Sequence, residues 1–244
     1  YSFEDNWSLD FASLKNGGTN YISLRAWCIS GGTKTVIDAF RIFKDVSIPS
    51  IVDNIAGDDT VWRSSNVAVY DVDFFDLPFN GSKIDKVQLK ITSGPYQTGE
   101  VYQEWTDEIL DIGATYYVVN WPIKWETFLN MCEGYNYVSA KVFDNAGNSY
   151  ELSDIFFVLK DTTSPTIDNQ QSGDDVWRNT NSGVYNVNFV DTGGSKLNRF
   201  EITASTVIAS VSEAIPLINW TTVYSGINAD SFNTPWSLPS SVWS

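Results

Sequence analysis

The chain has 244 residues, 43% of them hydrophobic and 15% aromatic, enough for one or two domains with sizeable cores. Its net charge of −15 repels phosphate backbones and excludes nucleic acid as a partner. Histidine is absent and the two cysteines, Cys28 and Cys132, form no CxxC pair, which removes Ser–His–Asp catalysis, histidine-held zinc and thiolate metal cages.

The opening YSFEDNWSLD reads as mid-domain sequence, so the expectation is a segment of a longer chain. No apolar run reaches membrane-spanning length, and no direct membrane insertion is expected. The dominant signal from there on is internal repetition. Asn20-Tyr21-Ile22-Ser23 returns as Asn136-Tyr137-Val138-Ser139, Asp38 as Asp154, Lys44-Asp45 as Lys160-Asp161 and Pro49 as Pro165, each 116 residues on. GDDTVWR at 57–63 returns as GDDVWR at 173–178, and Gly81-Ser82-Lys83 as Gly194-Ser195-Lys196. Tyr70, Val72 and Phe74 return as Tyr185, Val187 and Phe189. Trp7, Trp121 and Trp236 align in three successive copies, and Trp105 aligns with Trp220. The chain therefore divides into the C-terminal half of one repeat (1–46), a complete repeat of about 115 residues (47–162) and the N-terminal part of a third (163–244). The third copy stops where strands of the type found at 14–44 are due. Either the chain is a window on a longer array, or the ends of neighbouring molecules complete each other.

Within each copy the apolar period is two. In VAVYDVDFF (67–75), Ala68, Tyr70, Val72 and Phe74 share one face and Asp71 and Asp73 the other. Tyr185, Val187 and Phe189 repeat this pattern with Asn186 and Asn188 outward. KVQLKI (86–91) and YVSAKVF (137–143) alternate likewise, and only WETFLNM (125–131) suits a helical turn. Asn80-Gly81-Ser82, Ser93-Gly94-Pro95 and Asn145-Ala146-Gly147-Asn148 supply turns between the runs. Many short strands spaced by turns predict an all-β fold of tandem immunoglobulin-like antiparallel β-sandwiches.

LNMCEGYNYVSAKVFDNAGN (129–148), the KDTTSPTI opener (160–167) and the tandem layout resemble bacterial immunoglobulin-like or fibronectin type III-like repeats of large cell-surface proteins. The resemblance spans the chain at repeat level. It implies an extracellular stalk, adhesin or surface-layer component. The chain departs from members that carry a tyrosine corner: Tyr21 and Tyr137 fall out of phase with the core residues Ile22 and Val138.

Several groups are candidate sites. Asp144, Asn145 and Asn148 of the DNAGN loop offer oxygens for calcium near the linker Lys44–Pro49, while the plain reading is an Asx-rich turn; the first copy has Cys28-Ile29-Ser30 there. Asp58, Asp59, Asp174 and Asp175 beside Trp62 and Trp177 suggest a second cation site, or a first strand whose tryptophan packs on its own sandwich. The recurring tryptophans suit either core packing or sugar stacking. Paired carboxylates such as Glu104 with Asp107 and Glu108 bring glycoside hydrolysis to mind, but nothing matches them in the next copy and a sandwich edge makes no obvious cleft. On Ile155–Leu159 the core phase takes Phe156 and Val158, which leaves Phe157 and Leu159 facing outward, to be covered by the 93–120 segment or a neighbouring chain. Cys28 and Cys132 fall at opposite poles of successive repeats, too far apart for a disulfide between them. Asn6-Trp7-Ser8, Asn80-Gly81-Ser82 and Asn219-Trp220-Thr221 fit the glycosylation triplet.

The sequence thus reads as a non-enzymatic structural or adhesive segment of a repetitive extracellular protein: a stalk, filament or sheath. A carbohydrate-binding module using exposed tryptophans, and a polysaccharide hydrolase or its accessory domain, are the alternatives. No cofactor is required, with calcium the one ion left open. The expected partners are neighbouring repeats or copies of the same protein, and then surface glycans.

Overall fold

Period-two alternation becomes strands almost wherever it occurs. The computed structural model describes residues 4–55, 59–77, 81–205 and 216–243; Asp58 and Asn80 lie outside the described residues. In chain order the strands are β1 (Gly18–Trp27), β2 (Thr33–Lys44), β3 (Ser50–Asp53), β4 (Trp62–Arg63), β5 (Val72–Phe75), β6 (Ile84–Gly94), β7 (Thr98–Ile109) and β8 (Tyr116–Tyr117). Next come β9 (Gly134–Asp144), β10 (Ser149–Lys160), β11 (Thr166–Asn169), β12 (Val187–Val190), β13 (Leu197–Ser205), β14 (Pro216–Ala229) and β15 (Ser231–Phe232). The expected helical turn is α1 (Trp125–Asn130); a 3₁₀ turn at Phe11–Ser13 and a short α2 (Ser240–Trp243) were not anticipated. With 52% strand and 6% helix, the protein is all-β.

The chain forms two compact units, 1–60 with 66–158, and 61–65 with 159–244. Residues 1–46 thus cluster with the central repeat, and 159–162 with the third copy. In the first unit β10, β9, β6 and β7 lie side by side in one sheet, and β3, β5 and β8 form another. The two sheets share one core. Val72 and Phe74 of β5 meet Val87, Leu89 and Ile91 of β6, Val138, Ala140 and Val142 of β9, and Phe156 and Val158 of β10. Burial of this kind stabilises by about 25 cal/mol per Å² of apolar surface. Strands β1 and β2 pair only with each other among the described residues. In the second unit Trp62–Arg63 of β4 run parallel to Leu159–Lys160, the end of β10. Strands β11, β12 and β15 form one sheet and β13 and β14 another, around Phe189, Leu197, Phe200 and Trp236.

Local geometry recurs with the sequence. Tyr70 bridges Trp121, whose indole N–H donates to Val72 O at 3.1 Å; Tyr185 bridges Trp236, whose indole donates to Val187 O at 3.3 Å. Asp38 and Asp154 both take positive φ, 50° and 52°, and their amides donate to Ser23 Oγ and Ser139 Oγ. Such left-handed residues kink a strand at a bulge. The side-chain amides of Asn20 and Asn136 each donate to carbonyls of their own strand start and of the partner strand, at Ile42 and Val158.

Leu159 lies outside the core that holds Phe156 and Val158, and it is buried where the end of β10 pairs with β4. Of the 93–120 segment, β7 adds to the opposite edge of the sheet, beyond β6, while the turn at Tyr96 and Gln97 bonds β10 at Asp154, Glu151 and Ser153. Phe157 is half-buried beneath Tyr135 and Tyr137, with ring centroids 5.4 and 6.2 Å away. That contact also explains the phase of Tyr137, which belongs to an outer aromatic layer and not to the core.

Candidate metal centre at the linker

The linker residue Asp45 lies just after β2, Asp76 just after β5, and Asp144 ends β9 at the DNAGN turn. Sequence separates them widely, yet one carboxylate oxygen from each lies within 4.8 Å of the other two. The sequence reading found only Asp144 of the three. Asp45 and Asp76 gave no motif, because the group exists only once the linker, the β5 end and the β9–β10 turn converge.

Each acid is held differently. Asp144 Oδ1 accepts the amides of Ala146 and Asn148 at 2.9 and 2.8 Å, which is the Asx-type turn anticipated for DNAGN. Its Oδ2 accepts from the side-chain amide of Asn148 at 2.7 Å, and the same amide reaches Asp45 O at 3.3 Å. The side-chain amide of Asn145 donates to Ser82 O and Lys83 O, both at 3.0 Å. Asp45 Oδ1 accepts the Ser47 amide at 3.0 Å and Oδ2 accepts the Ser82 amide. Burial works against its charge, but the Ser82 and Ser47 donors outweigh it and hold the Asp45 carboxyl below the usual carboxylate range.

Asp76 is the odd member. It is 0% exposed; Oδ2 accepts the Lys83 amide at 2.7 Å, while Oδ1 is buried without a hydrogen-bond partner. Burial first, then the charges of Asp45 and Asp144, push its pKa up against that single amide bond. Among the described residues no Lys or Arg pairs with any of the three acids. Three carboxylates supply up to six hard oxygens, the donor type calcium takes at 2.3–2.6 Å. A cavity of about 420 Å³ adjoins Asp45, lined also by Phe43, Lys44, Ser82 and Asn145.

Two of the three positions recur in the second unit. Asp161 accepts the Thr163 and Ser195 amides at 3.0 and 2.9 Å, as Asp45 accepts those of Ser47 and Ser82. Burial opposes its charge too, and the Ser195 and Thr163 donors again keep its pKa low. Asp191, counterpart of Asp76, is buried with Oδ2 unpartnered. A β-carbon on Gly193 would fall 1.7 Å from Asp161 Oδ1, so the turn beside this carboxylate has room only for glycine.

No protein-family model matches this chain, and no curated protein is similar to it.

The other candidate residues are placed as described next to their partners. Trp62 is half-buried, pairs with Leu159 at the end of β10, and its ring closes on Gly194. Trp177 is 100% exposed, beside an Asp174–Arg178 ion pair of 3.1 Å. Trp121 and Trp236 are core residues, which removes them from any sugar-stacking row; Trp220 is exposed, and Trp105 is half-buried under Lys141. Among the acids of β7, Glu104 pairs with Lys90 and Asp107 with Lys86. Glu108 is buried, accepting the Lys124 amide and the Thr127 hydroxyl at the start of α1. Burial, together with the charge of Glu126, pushes its pKa up against the Lys124 and Thr127 donors. Cys28 and Cys132 are both free and exposed. No helix among the described residues is long and apolar enough to cross a membrane.

Proposed function

We propose that this chain is a non-enzymatic structural segment of a repetitive extracellular or cell-surface protein, built of tandem immunoglobulin-like sandwiches whose joints are braced by calcium at Asp45, Asp76 and Asp144. The recurring Tyr–Trp bridge, bulge and linker-carboxylate contacts support the tandem reading. The bracing rests above all on the buried, unpartnered Asp76 Oδ1 beside two further carboxylates, none of the three in an ion pair among the described residues. A divalent ion there joins the linker, the β5 end and the β9–β10 turn. It converts a mutual repulsion, costly in a site of low dielectric, into a cross-link. The partners on this reading are adjoining repeats and copies of the same protein.

Calcium binding to the folded state alone raises stability by about 2.7 kcal/mol at a hundredfold excess over Kd, a rise in Tm on the order of 5–10 °C for a chain of this size. Melting the protein in calcium and in chelator measures it. A Tm indifferent to calcium removes the brace. Saturable binding of an oligosaccharide, with quenching of Trp220 or Trp177 fluorescence, would favour the glycan module instead.

A further inference from the structure

The second unit holds two buried acids in the setting of Asp45 and Asp76, and one of them has an oxygen that nothing satisfies. Asp161 follows β10 and Asp191 follows β12, as Asp45 follows β2 and Asp76 follows β5. The backbone at Asp191 is fixed like that at Asp76: the Asp191 amide donates to Asp230 O at 2.8 Å, and the Asp76 amide to Thr115 O at 2.8 Å. Asp161 and Asp191 are each 7% exposed. Asp161 is anchored through both oxygens, Oδ1 by the Thr163 amide and Oδ2 by the Ser195 amide. A carboxylate so held still has lone pairs to offer. Asp191 Oδ2 is buried with no hydrogen-bond partner at all.

Both acids line one cavity of the second unit. Lys196 and Arg199 line it too, yet neither pairs with Asp161 or Asp191 among the described residues, and Arg199 is taken up by Glu201 at 2.9 Å. An ionised carboxylate that loses its water and gains no donor is costly to bury. A hard cation supplies the missing interaction, and carboxylate oxygens are the donors calcium takes.

We propose that Asp161 and Asp191 hold a second divalent cation, calcium by their donor type, more weakly than Asp45, Asp76 and Asp144 hold the first. The first site is a template for the arrangement, but the second stands on its own acids and its own unpartnered oxygen. Its weakness follows from its composition. The one group of three acids among the described residues is the first site. Here two carboxylates supply at most four oxygens, and carbonyls or water must complete the six to eight that calcium takes. The low ligand charge places the affinity with weak extracellular modules, a Kd on the order of 10⁻⁴–10⁻³ M.

Two adjacent glycines put a reporter beside the pair. A β-carbon on Gly193 would fall 1.7 Å from Asp161 Oδ1, and one on Gly194 would fall 2.7 Å from Cη2 of Trp62. The Asp161 carboxylate and the Trp62 indole therefore flank the same turn, and an ion on Asp161 has a tryptophan for a near neighbour.

The test uses the full chain, with calcium chloride as ligand and terbium chloride as its luminescent stand-in. Equilibrium dialysis at millimolar calcium should count two ions on the wild type. Asp191→Asn should keep only the tight ion, and Asp76→Asn only the weak one. Terbium emission excited through tryptophan should persist in Asp76→Asn and be lost in Asp191→Asn. It should also fall in Trp62→Phe, whose calcium count stays at two. Asp191→Asn keeps the side-chain size and removes a buried charge, so in chelator it should melt no lower than the wild type. Asp161→Asn, which retains an acceptor oxygen for a backbone amide, is the second variant and should lose the same ion. A single ion, lost in Asp76→Asn and kept in Asp191→Asn, overturns this proposal and leaves the brace standing. A single ion with the reverse pattern overturns the brace and leaves this proposal standing. Two ions retained in both Asp191→Asn and Asp161→Asn, or no ion bound by the wild type, overturns the second site as well.

Discussion

Asp76 carries the chemistry at the scale of single residues. Its carboxyl titrates above the ordinary 3.8, so in the metal-free protein the folded state holds a proton that the unfolded state has released. Stability therefore falls as pH rises through 3.8 toward the raised folded value. Asp45 has the opposite sign: its folded value is below 3.8, and its contribution is present above that pH and lost as pH falls through the folded value. Asp76→Asn removes the first effect only. Without metal it should match the wild type in acid and melt higher at neutral pH, with calcium no longer raising its Tm; thermal melts across pH, with and without chelator, check this. Gly193→Ala makes a separate case. Its methyl would collide with the Asp161 carboxylate, so a loss of about 1–3 kcal/mol is expected, read as a lower Tm of the second unit. Little of this was legible in the sequence. Asp144 was marked by its Asx-rich turn, but Asp45 and Asp76 look like ordinary linker and strand-end aspartates until folding removes their water.

At the scale of elements, the sequence was far more informative. Alternation named the buried faces of β5, β6 and β9 residue by residue, because a strand with one wet face has no other way to satisfy both sides. It failed on β10. Ile155–Leu159 is apolar at every position, and period two then cannot distinguish a strand with one exposed face from one covered on both. The contact of Trp62 with Gly194 was not legible, because the two lie far apart along the chain with nothing local to announce it. Equivalent positions in β2 and β10 make a direct comparison. Phe156→Ala should cost about 3–5 kcal/mol by urea titration, since the ring is fully enclosed and stacked on Tyr70. Phe40→Ala should cost under about 1 kcal/mol in dilute, unassembled protein, because much of its ring is already in water.

At the scale of the whole molecule, the question is why one scaffold is written more than once. A recurring core lets each copy bury its own apolar surface, and a recurring linker carboxylate, Asp45 and then Asp161, fixes the backbone where one copy passes to the next. Drift in the turn from Cys28-Ile29-Ser30 to Asp144-Asn145-Ala146 then has a consequence: only the turn with Asp144 contributes a third carboxylate to the cluster. On the tandem-repeat reading, the repetition is legible in the sequence because closing a core constrains many positions at once.

Hydrogen exchange of backbone amides in metal-free and calcium-loaded protein tests the brace most directly. Calcium is expected to slow exchange together at Ser47 in the linker, Ser82 and Lys83 in the turn before β6, and Ala146 and Asn148 in the β9–β10 turn, and to leave them unprotected in Asp76→Asn. Exchange at those amides unchanged by calcium, or protection confined to one of the three segments, would contradict a cation that ties them together.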